Sequence, residues 1–166
     1  MALRWAVEIN NGSTYIRLVS IPCEIPYDLP KNYKLKPGRG VEIIKGRDAA
    51  IIAYGPVMLT EAVKAAQELS NKGVLLAVIN LPWLNHVDKK WLANLRKYKT
   101  IITVDDHYVE LGQGTLIASL VAKIGLDLKV VSFGITSIPE CGQNTEVLSR
   151  HRLDYLSLVK RIKASL

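Results

Sequence analysis

Continuous apolar runs alternate along this chain with segments whose apolar residues recur every three or four positions. The runs cover residues 49–53, 74–81, 101–104 and 128–133, and a short run at 41–44 precedes them. Such runs are typical of strands buried on both faces of a sheet, and the segments between them have the spacing of amphipathic helices. The alternation predicts a mostly parallel sheet covered by helices on both faces, a three-layer α/β/α sandwich.

The predicted helices begin near residues whose side chains can cap a helix N-terminus. Each such side chain would satisfy a backbone N–H that has no partner within its own helix. The candidate caps are Thr60, Thr115 and Asp154, with Asn144 or Thr145 for a short helix near the end. The helix that follows Pro82 is predicted to begin near Asp88.

The first forty residues have a different pattern. Residues 1–9 have a helical stripe that ends at a turn, and residues 13–19 alternate as a strand. One helix and one strand bury too little apolar area to offset the entropy of ordering them. Four prolines between Pro22 and Pro37, followed by Gly38 and Gly40, disfavour both helix and sheet. We therefore predict three parts: residues 1–21 as the tail of another domain, 22–40 as an extended Pro/Lys-rich linker, and 41–166 as a compact domain.

Composition narrows the class of protein. With 166 residues, of which 49% are hydrophobic, the chain can bury one sizeable core. No run approaches the roughly eighteen apolar residues of a membrane helix, and the first ten residues lack the pattern of a signal peptide. The two cysteines, Cys23 and Cys141, form no disulfide framework and lack metal-ligand spacing. These features predict a cytoplasmic protein without membrane contacts.

The positive charge is concentrated in one segment. The chain carries a net charge of +7, and between Lys31 and Arg47 six basic residues accompany a single acid, Glu42. Aromatic residues that stack on bases are absent from this segment apart from Tyr33. We interpret the segment as a solvated linker and expect no nucleic-acid partner.

Candidate chemistry follows the apolar run at 101–104. Asp105, Asp106 and His107 come directly after it, where a predicted parallel strand reaches its carboxyl end. Ligands of open α/β sheets bind beyond these ends. The alternative interpretation is that the acids solvate the strand end while His107 caps nearby backbone. The glycines that follow, Gly112 and Gly114, do not make a dinucleotide-binding loop, because Ile117 stands where a third glycine is needed.

An ordered set of residues across the chain resembles the C-terminal domain of transketolase-like thiamine-diphosphate enzymes. Residues 15–18, Tyr-Ile-Arg-Leu, also resemble the last strand of the pyrimidine-binding domain that precedes it in such enzymes. The residues that carry the resemblance are 46–55; Ala62, Ala65, Ala66 and Leu69; Val78, Ile79, Pro82 and Asp88; 103–107 with Gly112 and Gly114; Phe133 and Gly134; Glu140 and Gly142; and 146–148.

The resemblance implies a mixed five-stranded sheet with one antiparallel strand. It also implies a role in subunit contacts and in framing the active-site entrance. In the complete enzyme, thiamine diphosphate and Mg²⁺ would be held by a diphosphate-binding domain with a Gly-Asp-Gly motif, and a pyrimidine-binding domain would supply a glutamate. This sequence has no Gly-Asp-Gly. We therefore expect no catalytic, cofactor-binding or metal-binding residue in this chain, and no activity from the chain alone.

Five residues matter within the resemblance. Arg17 is a candidate phosphate contact, although the second basic residue that family members often carry three positions later is Ser20 here. His107, with Asp105 and Asp106, becomes a candidate proton donor or hydrogen-bond clamp at the active-site entrance. Arg152 replaces a usual turn glycine, so that turn either avoids the left-handed conformation or is strained.

The leading functional hypothesis is a C-terminal domain or subunit of a transketolase-type enzyme, which transfers ketol units between sugar phosphates. Its partners would be the missing diphosphate- and pyrimidine-binding domains or subunit, in a homodimer or hetero-oligomer. Two alternatives remain within the architecture: the C-terminal domain of a 2-oxoacid dehydrogenase β-subunit, or of a deoxyxylulose-phosphate-synthase-like enzyme. A free-standing protein-interaction module is a third alternative.

Overall fold

The computed structural model describes residues 1–166 and contains a five-stranded sheet with helices on both faces. The strands are β1 (Val41–Ile44), β2 (Ala49–Ala53), β3 (Leu76–Asn80), β4 (Thr100–Tyr108) and β5 (Lys129–Ile135). The helices are α1 (Ala2–Glu8), α2 (Gly55–Ser70), α3 (Lys89–Asn94, continued by a 3₁₀ turn at Leu95–Lys97), α4 (Gln113–Lys123), α5 (Asn144–Arg150) and α6 (Tyr155–Ser165).

The sheet is mixed and mostly parallel. Its strand order is β1-β3-β2-β4-β5, and β1 alone is antiparallel to its neighbour. Alternate residues of β2 divide the core: Ala49, Ile51 and Ala53 pack in the cluster that includes α2 and α6. Ala50 and Ile52 pack in the cluster that includes α3 and α4. The predicted three-layer sandwich is therefore confirmed.

Of the caps predicted for the longer helices, Asp154 is confirmed, and Thr60 and Thr115 are wrong. The helix start predicted near Asp88 is also confirmed. Asp88 accepts a hydrogen bond from the Trp91 N–H at 2.7 Å, and Asp154 accepts one from the Ser157 N–H at 3.0 Å. Thr60 instead lies inside α2, which begins five residues earlier at Gly55, and its hydroxyl donates to the Glu24 carbonyl. Thr115 lies inside α4, and its hydroxyl donates to the Val109 carbonyl.

The short helix α5 begins earlier than predicted. Its N-cap is Gln143, rather than Asn144 or Thr145, and Glu146 completes a capping box by accepting from the Gln143 N–H at 3.1 Å.

The turn between α5 and α6 contains Arg152, which has a φ of 56°, so this turn does adopt the left-handed conformation. Of the two outcomes predicted for Arg152, the strained one is the correct one.

The N-terminal segment differs from prediction in one respect. Helix α1 forms, but residues 13–19 do not form a strand. A strand requires a neighbouring strand for its backbone hydrogen bonds, and no strand of this sheet pairs with these residues. Residues 22–40 contain neither helix nor strand, as predicted, yet they are not merely solvated, because Cys23 and Tyr27 pack against the main core.

The described helices include none that is both long enough and apolar enough to cross a lipid bilayer.

Candidate functional site

The candidate residues lie where the parallel strands reach their carboxyl ends. Tyr54 directly follows β2, and Asp105, Asp106 and His107 lie in β4, the strand beside it. The prediction that this strand ends at Val104 was wrong. After an irregularity, β4 resumes its pairing with β5, so that Tyr108 lies opposite Ile135. The polar residues therefore occupy the last part of a strand rather than a loop.

Asp105 is fully buried and acts as an acceptor for the start of α4. Its carboxylate accepts from the Gln113 N–H at 2.9 Å and from the Gly114 N–H at 3.1 Å. These backbone groups have no partner within their own helix, so the carboxylate satisfies them as a cap would, although it comes from a strand. Asp105 therefore does not solvate the strand end, because its carboxylate is an acceptor inside the core.

Gln113 connects this cluster to the neighbouring strand. Its side-chain amide donates to the carbonyls of Leu81, at 2.9 Å, and Trp83, at 2.8 Å, both within three residues of the end of β3. The residue is buried, and its own side-chain oxygen has no hydrogen-bond partner. Sequence reasoning missed Gln113. The available signal was a polar residue between two glycines, at the start of an apolar helix.

The glycines of this region allow close packing. A Cβ on Gly114 would lie 2.3 Å from the Thr103 hydroxyl and 2.5 Å from the Ser132 hydroxyl, and these two hydroxyls hydrogen-bond to each other. A Cβ on Gly112 would lie 2.8 Å from the Tyr108 carbonyl oxygen. The Gly-x-Gly pair is therefore explained by the approach of α4 to the sheet, not by a phosphate.

Tyr54 is a second residue that sequence reasoning missed as part of the site. Burial raises the pKa of its phenol well above the ordinary value, and the negative charge of Asp105 beside it raises it further. The phenol therefore stays protonated. The available signal was an aromatic hydroxyl at the carboxyl end of the most buried strand, directly before the Gly-Pro start of α2.

Asp106 is joined to Arg17, which lies 89 residues earlier in the sequence. The guanidinium donates to the Asp106 carboxylate and to the Asp106 carbonyl, each at 3.0 Å. Burial raises the pKa of the Asp106 carboxyl, and the Arg17 charge opposes that effect. The structure thus brings together two sequence-predicted site residues, and it places the N-terminal segment over the edge that carries them.

His107 is exposed, unlike its two acidic neighbours. Its ring packs edge-on against the ring of Tyr108, with centroids 5.8 Å apart. Its carbonyl oxygen lies 2.8 Å from where a Cβ on Gly134 would stand, so β5 passes close behind it. Of the three predicted residues in β4, His107 alone is exposed.

Most of the chain matches one protein family. The family model for the C-terminal domain of transketolase matches residues 38–156. The chain belongs to the transketolase C-terminal domain family. The resemblance found in the sequence is therefore confirmed, and so are its five-stranded mixed sheet and its single antiparallel strand.

Relatives with this domain include separate sections and subunits. A putative transketolase C-terminal section of Methanocaldococcus jannaschii is 28% identical over 152 residues, which are 91% of this chain and 47% of that protein. A subunit of the apulose-4-phosphate transketolase of Actinobacillus succinogenes is 30% identical over 151 residues, which are 89% of this chain and 48% of that protein. This chain thus spans about half the length of these relatives.

Solved structures share the fold. A split-gene transketolase, described as an inactive tetramer, superposes with a TM-score of 0.76 at 23% identity, over 87% of this chain and 46% of that one. The transketolase of Campylobacter jejuni superposes with a TM-score of 0.61 at 21% identity, over 83% of this chain and 20% of that one.

The residues of this transketolase C-terminal domain do not fit the thiamine diphosphate and Mg²⁺ of the family. The two carboxylates at the carboxyl edge are already engaged, Asp105 by backbone N–H groups and Asp106 by Arg17. No group of three or more His, Cys, Asp or Glu side chains is placed to hold a metal ion. We therefore assign no chemical step to a coenzyme bound by this chain.

Proposed function

We propose that this chain is the C-terminal, non-cofactor-binding domain or subunit of a thiamine-diphosphate-dependent, transketolase-type transferase of the cytoplasm, which transfers ketol units between sugar phosphates. In this proposal residues 41–166 are the C-terminal domain, 22–40 the linker, and 1–21 the end of the pyrimidine-binding domain. The chain provides subunit contacts and frames the active-site entrance, and it has no catalytic residue of its own.

The observation that carries the proposal is the uncovered apolar surface of residues 1–21. Helix α1 buries none of its residues, and Leu3 and Val7 are exposed. In the extended segment that follows, Tyr15 and Leu18 are 89% and 86% exposed. Several large apolar side chains that are exposed within one short segment indicate a site of protein contact.

The location of this surface connects it to the candidate site. Because Arg17 binds Asp106, a partner that covers residues 13–21 also reaches the carboxyl edge where His107 is exposed. That partner would be the diphosphate- and pyrimidine-binding domains or subunit, which bring thiamine diphosphate and Mg²⁺. The assembly would be a homodimer of the complete enzyme or a hetero-oligomer of separate subunits. The two relatives that are described as a C-terminal section and as one subunit of a transketolase support this division.

Roles for four residues belong to this proposal. His107 would stand at the entrance as a proton donor or hydrogen-bond clamp, with Asp106 beside it. Arg17 would contact a substrate phosphate: a guanidinium has five N–H donors, and Asp106 accepts from two of its nitrogens. Asp105 would hold the start of α4 in position behind them.

Reconstitution tests the proposal. The purified chain is mixed with the polypeptide that carries the diphosphate- and pyrimidine-binding domains of the same organism, thiamine diphosphate and Mg²⁺, and ketol transfer between sugar phosphates is assayed. We expect activity in the mixture and none with either polypeptide alone. Background activity in a mixture that forms a stable complex contradicts the assigned reaction, and the absence of any complex contradicts the assigned partner.

One alternative function is favoured by a specific observation. The 1-deoxy-D-xylulose-5-phosphate synthase of Carboxydothermus hydrogenoformans is 34% identical over 124 residues, which are 73% of this chain and 20% of that protein. The same reconstituted mixture can be assayed for formation of deoxyxylulose phosphate. If that product forms and no ketol is transferred between sugar phosphates, the synthase assignment replaces the transketolase one.

A further inference from the structure

A cleft lies beside β1, the outermost strand on the side of the sheet away from β5, between the basic segment and α3. It has a volume of about 390 Å³, and Tyr33, Lys34, Lys36, Arg39 and Trp91 are among the nine residues that line it. We propose that this cleft binds a small organic phosphate, with the phosphate held by Lys34 and Lys36 and the organic part against Trp91 and Val41. This site is separate from the candidate site described above.

The position of β1 shows this separation. Val41, which lines the cleft, begins β1 and pairs with Asn80 at the carboxyl end of β3. The cleft is therefore at the same edge of the sheet as Asp105, but β1 and β4 are three strand positions apart. At about 4.8 Å per strand, this is roughly 14 Å of sheet.

The charges of the cleft favour an anion. Three of its lining residues are cations, and none is an acid. Arg39 is paired, since its guanidinium donates to Asp88 at 3.0 and 3.1 Å. Lys34 and Lys36 have no carboxylate oxygen within 4.0 Å. Two ammonium groups without a counter-ion in one concave surface attract a multiply charged anion such as phosphate.

The wall of the cleft is fixed in place. Its basic segment contains two turns, closed by hydrogen bonds from the Tyr33 N–H to the Pro30 carbonyl and from the Arg39 N–H to the Lys36 carbonyl. Gly38, with a φ of 66°, accepts from the Asp88 N–H at 2.8 Å, which joins the second turn to the start of α3. The segment is thus an ordered wall, on which Lys34 and Lys36 are exposed.

The remaining surface of the cleft suits an organic group. Pro30, Val41 and Trp91 provide apolar area. A volume of about 390 Å³ exceeds what inorganic phosphate fills and is within the range of small-molecule sites. A sugar phosphate and a nucleotide share the required chemistry.

Calorimetric titration of the full chain tests the proposal, with ADP, ribose 5-phosphate, adenosine and inorganic phosphate as probes. We expect saturable binding of ADP or ribose 5-phosphate with a stoichiometry of one, weaker binding of inorganic phosphate, and none of adenosine. Tighter binding of ADP indicates that the ligand is a nucleotide, and tighter binding of ribose 5-phosphate indicates that it is a sugar phosphate. Failure of both organic phosphates to saturate at millimolar concentration overturns the proposal, as does equal affinity for inorganic phosphate.

A charge-matched pair of double variants gives the control. Lys34→Ala/Lys36→Ala removes the two unpaired cations of the cleft, and we expect at least a roughly tenfold loss of affinity because two charge-assisted hydrogen bonds disappear. Lys45→Ala/Lys160→Ala removes two exposed cations that do not line the cleft and should leave the affinity within about twofold. An equal loss in both variants shows general charge attraction and overturns the proposed site. Neither result depends on the reconstitution of ketol transfer.

Discussion

Arg17 and Asp106 are 89 residues apart in sequence, yet two guanidinium nitrogens of Arg17 donate to the carboxylate and the main-chain carbonyl of Asp106, each at 3.0 Å. The contact holds an extended segment without regular structure against the last residues of β4. Both side chains are more than 30% exposed, so the pair adds at most about 1 kcal/mol to global stability. Its effect is local: it positions the uncovered apolar residues beside the carboxyl edge.

We expect Arg17→Ala to release this segment while the domain stays folded. Protease cleavage within residues 10–21 should become several times faster. The melting temperature should change little, because none of these residues belongs to a buried core cluster and Val19 alone packs against one. Arg4→Ala is the matched control, since Arg4 pairs only with Glu8 of its own helix. Equal cleavage rates in wild type and Arg17→Ala, measured by limited proteolysis and mass spectrometry, contradict this role of the pair.

Asp105→Asn tests the carboxylate that caps α4 from the sheet. An amide has one acceptor oxygen and directs its NH₂ group at the other backbone N–H, so one buried donor loses its partner. We expect a loss of about 2 kcal/mol in the free energy of unfolding by urea. Asp127→Asn changes an exposed acid in the loop after α4 and should change the free energy of unfolding by less than about 0.5 kcal/mol. Similar values for the two variants would show that Asp105 is not a structural acceptor.

Gly114→Ala separates close packing from helix propensity. Alanine favours the helix by roughly 1 kcal/mol, but its Cβ would lie 2.3 Å from the Thr103 hydroxyl and displace that side chain from its bond with Ser132. We expect a net loss of about 1–3 kcal/mol in the free energy of unfolding. Gly12→Ala, whose Cβ would meet no atom closer than 3.9 Å, is the control. A Gly114→Ala variant as stable as wild type contradicts the packing explanation.

The sequence allowed the layers of the fold to be predicted because their signals are local. The buried runs of β2 and β3 need only apolar side chains, and Asp88 and Asp154 cap helices that begin at the next residue. The prediction that Thr60 is a cap was wrong because Thr60 lies within a helix that begins earlier, at Gly55 and Pro56. A hydroxyl near an apolar stripe does not by itself show where the first helical turn lies.

The candidate site was harder to predict because its determining contacts are between distant elements. The sequence pattern suggested that Asp105 is a polar residue at the end of a strand. In the structure it lies inside the core, where it accepts hydrogen bonds from backbone N–H groups eight and nine residues later. Residues 13–19 have a strand-like alternation, but a strand also needs a partner, which periodicity cannot reveal. The pairing of Arg17 with Asp106 has no sequence signal at all, since any exposed carboxylate has the same chemistry.

Asp88→Asn tests the pH dependence of a single cap. Hydrogen bonds from the Trp91 N–H and the charge of Arg39 lower the pKa of the Asp88 carboxyl below 3.8. An acid with a lowered pKa in the folded state stabilises it above pH 3.8, and this contribution is lost as the pH falls through the folded-state pKa. Asparagine can still cap α3 but carries no charge.

We therefore expect wild type to be more stable than Asp88→Asn at neutral pH, with the difference shrinking toward zero as the pH falls below 3.8. Urea unfolding of both proteins at a series of pH values measures this difference in the free energy of unfolding. Asp28→Asn, an exposed acid that forms no ion pair, should give a small difference at every pH. A difference for Asp88→Asn that does not depend on pH would show that charge contributes nothing to this cap.

Arg152 offers a stabilising substitution. Its φ of 56° lies in the left-handed region, which is costly for residues that have a Cβ. Its charge also lowers the pKa of Arg161, after the larger effect of burial, and Arg161 stacks on the Phe133 ring at 3.8 Å. We expect Arg152→Gly to raise the free energy of unfolding by about 0.5–1 kcal/mol, because relief of backbone strain outweighs the extra freedom of the unfolded glycine. Arg152→Ala removes the same charge but keeps the Cβ, so it should not reach this value. If both variants are stabilised equally in urea unfolding, charge repulsion is the cause and the backbone is not strained.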